Sequence, residues 1–168
     1  MMRWKLGAIW VGLQVAFFAA WAATEEARLG EGVGRSILVR TVPVDPRDLL
    51  RGQYLQLAYE FSSVRRFASS AEGLDYRRPV WVVLRPEGDF YIPTERLLQA
   101  RPENLDPQEV AIQGTAENPW RLLFGIEKFF VPEGTQLPNQ RDITVRLRVG
   151  NDGKPRIEQV YVKGVPWP

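Results

Sequence analysis

Leu6 to Ala23 runs for eighteen residues without a charge, and no other feature restricts the chain as strongly. A spanning helix needs about 17 to 25 apolar residues at about 1.5 Å each, so this run, near the lower limit, is long enough to cross the hydrocarbon with little tilt. Trp4 and Trp21 stand near its two boundaries, where interfacial aromatics belong. Arg3 and Lys5 precede the run and Glu25-Glu26 close it, so the positive-inside rule expects a cytoplasmic N-terminus and an exported remainder. A rival reading is a cleavable signal peptide, because a basic start, an apolar middle and Ala20-Trp21-Ala22 satisfy the small-x-small pattern. Both readings export the rest of the chain, whereas a buried core helix fits the charge asymmetry poorly. The expected organisation is a single transmembrane helix over 1–23, a tether over 24–35 and an extracytoplasmic β domain over 36–168.

Composition removes several kinds of chemistry. The 168 residues include no cysteine and no histidine, which excludes thiol and imidazole catalysis, disulfides and zinc sites of the usual ligand types. Apart from Arg3 and Lys5, 20 basic residues face 20 acidic ones, so there is no electrostatic case for nucleic acid.

Beyond the tether the dominant signal is two-residue alternation. Ile143, Val145, Leu147 and Val149 are apolar while Thr144, Arg146 and Arg148 are polar, the pattern of a half-buried strand. Gly150-Asn151-Asp152-Gly153 then offers residues tolerant of positive φ before Ile157–Val162 resumes, which predicts a hairpin. Further strands are expected over Ser36–Val42, Tyr54–Phe61, Pro79–Leu84, Phe90–Ile92, Glu109–Thr115 and Trp120–Val131, the last with a break at Gly125. Asp45 to Gly52 is punctuated as a short helix, with Asp45 as cap, Pro46 at the first helical position and Gly52 as closing residue. A second short helix is expected from Thr94 to Gln99, stopped by Pro102. Loops fill Ser62–Arg78 and Arg101–Pro107. The fold class is mainly β, a sandwich or partly closed barrel with one or two short helices.

The densest stretch runs Pro43-Val44-Asp45-Pro46-Arg47-Asp48-Leu49-Leu50-Arg51-Gly52-Gln53-Tyr54-Leu55-Gln56-Leu57-Ala58-Tyr59. It resembles the GDYXXLXY proteins, in which a Pro-x-Asp-Pro-Arg-Asp turn leads into a Gly-Asp-Tyr-x-x-Leu-x-Tyr signature; Gln53 stands where that family has Asp. Gly125-Ile126-Glu127-Lys128-Phe129-Phe130-Val131-Pro132-Glu133-Gly134 is similar to the family's Glu-x-x-Phe-Val-Pro-Glu-Gly element. The resemblance covers roughly Ile37 to the C-terminus. It implies a bacterial, membrane-anchored protein of unassigned function, often associated with polytopic membrane proteins, and it brings no activity.

The residues themselves allow two readings. Structurally, Leu55, Leu57, Tyr59 and Phe61 share one strand face and form core, while Tyr54, Gln56, Ala58 and Glu60 share the other. Asp48 and Arg51, three apart, can pair on the turn. Glu127, if partly buried, needs a donor, and arginine is the obvious one. Functionally, Arg47, Asp48, Arg51, Tyr54, Glu60, Glu127 and Lys128 make up the candidate binding surface, with no catalytic residue, cofactor or metal ligand assigned. Three enzyme templates find weak support: a Ser36/Lys128 dyad, a Glu60/Glu127 carboxylate pair, and calcium binding, for which Asp152 stands alone. The preferred function is a membrane-tethered binding or assembly module that partners an integral membrane protein. The alternative is a small carboxylate-dependent hydrolase or ligand-binding protein with a pocket around Glu60, Glu127 and Arg47.

Overall fold

A computed structural model describes residues 2–29, 34–43, 54–67, 70–71, 73–76 and 78–167. The chain divides into two units, Met1–Val33 and Gly34–Pro168. The first contains helix α1 (Met2–Leu29), whose side chains are described over 10–24. Six residues expected in the tether, 24–29, continue this helix. Glu and Ala there are good helix formers, and the Thr24 hydroxyl is satisfied within the helix by the carbonyl of Trp21 at 2.7 Å. Every described side chain of α1 is exposed, Trp10, Leu13 and Phe17 by about two thirds. Among the described residues no helix is long and apolar enough to cross a membrane.

The second unit is built from eleven described strands: β1 (Arg35–Val42), β2 (Tyr54–Gln56), β3 (Ala58–Tyr59), β4 (Pro79–Glu87), β5 (Phe90–Leu98), β6 (Val110–Asn118), β7 (Arg121–Leu123), β8 (Lys128–Phe130), β9 (Ile143–Val149), β10 (Pro155–Val162) and β11 (Val165–Trp167). They form a five-stranded sheet in the order β11-β10-β9-β1-β3, a four-stranded sheet β5-β4-β6-β7, and a ribbon β2-β8. All pairings among these strands are antiparallel. Alternation decides which way each strand faces. Val39 lies opposite Val145 and Ile37 opposite Leu147, all buried, while Arg146 and Arg148 point away. From the other sheet Val80, Val82, Leu84 and Ile112 join the same core, and each fully buried branched side chain contributes about 1.5–3 kcal/mol.

The two sheets wrap that core as a partly closed barrel. On one side, Arg40 of β1 lies over the Phe90 ring of β5 at 4.2 Å and Arg35 lies over Tyr91 at 5.7 Å. On another, the amide of Val64 donates to Trp120 and Ser63 bridges Arg121, joining the segment after β3 to β7. The β9–β10 hairpin reaches across as well, with Gln113 N–H donating to the Gly153 carbonyl at 2.8 Å. Gly153, at φ 81°, lies beneath the Trp81 indole, and an added Cβ would sit 2.2 Å from the ring.

Two expectations need correction. The segment expected as a helix, Thr94–Gln99, is extended through Leu98 as part of β5, with Leu97 opposite Val82 and Leu98 opposite Trp81. The Thr94 hydroxyl serves a β-irregularity. The register shifts between Val82 and Leu84, and Thr94 Oγ1 donates to the Val83 carbonyl left there, at 2.9 Å. Nor is Tyr54–Phe61 one strand. It breaks at Leu57, because β2 pairs with β8 while β3 pairs with β1, and Phe61 belongs to a short 3-10 turn, Glu60–Ser62. The helix expected over Asp45–Gly52 lies outside the described residues.

Candidate functional site

The two sequence motifs, seventy residues apart, interlock. β2 and β8 pair with Tyr54 opposite Phe130, Leu55 opposite Phe129 and Gln56 opposite Lys128. One residue further, the Leu57 amide donates to the Glu127 carbonyl at 2.8 Å. The Tyr59 phenol donates to the Ile126 carbonyl, also at 2.8 Å. Leu55, Leu57, Tyr59 and Phe61 are all buried, so the expected core face holds even though the strand divides. The Tyr59 ring stacks on Phe61, with centroids 5.0 Å apart.

Glu127 is satisfied by backbone rather than by an arginine. Its carboxylate accepts the amides of Phe124 at 2.6 Å and Gly125 at 3.0 Å, closing the turn between β7 and β8, where Gly125 takes φ 79°. Each oxygen is thereby engaged, and charge-assisted bonds of this kind are stronger than neutral ones. The carboxylate therefore works as a turn clamp. It also acts on Tyr59, whose phenol is held well above its usual value by burial first and by the Glu127 charge second.

A cleft of about 480 Å³ opens on the outer side of this junction. One wall is the β2–β8 ribbon, through Tyr54, Gln56 and Lys128. The other comes from the β6–β7 hairpin, through Glu117, Arg121 and Leu123, and Gly125 and Glu127 complete it. Lys128 Nζ lies 5.1 Å from the Tyr54 ring centroid, and Phe130 meets the same ring edge-on at 6.2 Å. Arg121 and Glu117 pair at 3.8 Å, both partly exposed. The cleft thus presents a cation over an aromatic ring and an ion pair, with the exposed Phe130 ring beside them.

Tyr54, Glu127 and Lys128 share this cleft, but Glu60 does not. Glu60 pairs with Arg66 at 3.8 Å and lines a separate hollow with Arg40 and Tyr91. The expected convergence of Glu60 with Glu127 is therefore corrected: the two carboxylates line different hollows and serve different neighbours. Arg47, Asp48 and Arg51 lie outside the described residues. Ser36 donates to Glu158 at 2.6 Å, and Lys128 rests on Tyr54, so no dyad joins them. Among the described residues no group of three or more acidic side chains could hold a metal ion. Sequence reasoning missed Glu117 and Arg121. Their i, i+4 spacing around Asn118-Pro119 was the available signal, and it reads as a turn until the topology brings β7 beside the ribbon.

No curated protein and no solved structure matches the chain. The family model for GDYXXLXY proteins matches residues 14–160, spanning both interlocked motifs and nearly all of the β unit. The chain belongs to the GDYXXLXY family.

Proposed function

We propose that the protein is a membrane-tethered binding module on the outer face of a bacterial cell membrane, and that its cleft receives a segment of an integral membrane protein. The observation carrying this reading is the surface of α1. Bulky side chains of Trp10, Val11, Leu13, Val15, Phe17, Phe18 and Trp21 are each about 60% exposed or more, and Gly12, Ala16, Ala19 and Ala23 fill the remaining side. Gln14 is the one polar side chain within the uncharged run, and a helix with so broad an apolar surface has no favourable place in water. The uncharged run, its basic approach and its acidic exit support insertion with the N-terminus inside. A tether confines the β unit to the surface layer, so a modest interface suffices there. Arg121, Tyr54 and Lys128 supply contacts of the types favoured at interfaces, and Arg47 and Arg51 belong to the same sequence motif.

Two fusions at Pro168 test the topology in the full chain, a phosphatase active only outside the cytoplasm and a fluorescent protein that matures inside. An active phosphatase on carbonate-resistant membranes is expected. A fluorescent, inactive pair, or release of the full chain by carbonate, would defeat the reading. Photo-crosslinkers at Tyr54 and Arg121 should capture the same integral membrane protein. Tyr76, exposed and outside the cleft, should not.

A further inference from the structure

Strand β8 carries a hydrogen-bonding edge that is unused among the described residues. In an antiparallel pair, directly opposed residues alternate between exchanging backbone bonds and exchanging none. The Leu57–Glu127 bond sets that phase, so Leu55 and Phe129 exchange bonds, whereas the N–H and C=O groups of Lys128 and Phe130 point away from β2. No backbone bond to either is made among the described residues. Phe130 is 75% exposed, and Lys128 is exposed with no carboxylate partner among the described residues. Three other outer strands, β5, β11 and β7, are less open to strand addition. β5 carries Pro93 and β11 carries Pro166, each lacking an N–H, and the far side of β7 is taken by Ser63 and Val64.

We propose that β8 pairs antiparallel with β8 of a second copy of this chain, about a two-fold axis at Phe129. This register sets Lys128 against Phe130 of the second copy, and the reverse, so that about four N–H···O bonds form along the joined edge. Lysine on an edge ordinarily repels an incoming strand. Here it meets a ring in place of another lysine, giving two cation–π contacts and no like charges opposite. The Lys128 and Phe130 side chains of both strands stay on the outer face, beside Tyr54, while Phe129 faces inward. This pairing is independent of the membrane reading, since it rests on the ribbon alone.

The test uses the full chain, which has no cysteine of its own. Lys128→Cys and Phe130→Cys, carrying different tags, are co-expressed and oxidised in membranes. Opposed Cα atoms in a bonded pair lie about 5.5 Å apart, within disulfide reach, while like residues sit on longer diagonals. The mixed disulfide should exceed either self-disulfide by about tenfold, equivalent to one decade in effective pairing. Equal yields of all three, absence of crosslinks, or occupation of β8 by a strand of another protein would overturn the proposal. In a second arm, sedimentation in detergent compares Phe130→Pro with Phe130→Ala. Both variants lose the ring contact with Tyr54, but only proline removes an N–H, one that the ribbon does not use, so with proline dimerisation should weaken about tenfold at the melting curve of the alanine variant, and alanine should weaken it less. A proline variant that dimerises like wild type, or a wild type that stays monomeric, refutes the pairing.

Discussion

The phenol of Tyr59 reaches across to the backbone carbonyl of Ile126, 2.8 Å away, and so joins the last residue of one motif to the second motif. Tyr59 is buried, and the ring is held by Phe61. Tyr59→Phe should leave the fold intact but strand a buried acceptor, costing about 1–2 kcal/mol in urea denaturation.

The same phenol gives a signed pH dependence. Its folded value lies above the ordinary one of about 10, so below that pH both states keep the proton and stability is complete. As pH rises past it, only the unfolded chain releases the proton freely, and stability falls. Denaturation midpoints for wild type should therefore drop above about pH 10, more steeply than for Tyr59→Phe. Parallel alkaline slopes for the two proteins would contradict this assignment.

Glu127→Gln keeps one acceptor for the amides of Phe124 and Gly125 but loses the charge and the second oxygen. A loss of about 1–2 kcal/mol is expected by chemical denaturation. Amide exchange at Gly125 should accelerate with it. A neutral outcome would mean that the clamp contributes nothing to the turn.

Gly153→Ala places a methyl group against Trp81 at a positive φ, so strain and overpacking add. The cost should be about 2–4 kcal/mol, read as a lowered thermal midpoint.

Lys163 gives the opposite sign. It takes φ 52° in the turn joining β10 to β11, its ammonium only 3.7 Å from Asp142 but largely exposed. Lys163→Asn, followed by Gly164, supplies the pair this turn prefers and should stabilise by about 0.5–1 kcal/mol. Destabilisation would show that the exposed ion pair outweighs the backbone.

Where side chains alternate over one buried face, the sequence was legible. Ile143 to Val149 and the hairpin at Gly150–Gly153 can be read from period and turn chemistry alone. The break at Gly125 was legible too, since only a flexible backbone fits there. Thr94 to Leu98 was not, because its local pattern suits a helix and only pairing with β4 decides otherwise. Donors for Glu127 were hidden for another reason: they are main-chain amides, which composition never displays. The cleft was half readable. Its ribbon wall lies in the motifs, but its hairpin wall depends on long-range topology.

Residues 54 to 59 serve two ladders at once, β8 through Leu55 and β1 through Tyr59. A slip of one position in either register would turn both buried side chains toward water together. This stretch is accordingly the keystone of the arch, and an insertion tolerated in a surface loop would collapse the structure from both sides if placed at Leu57.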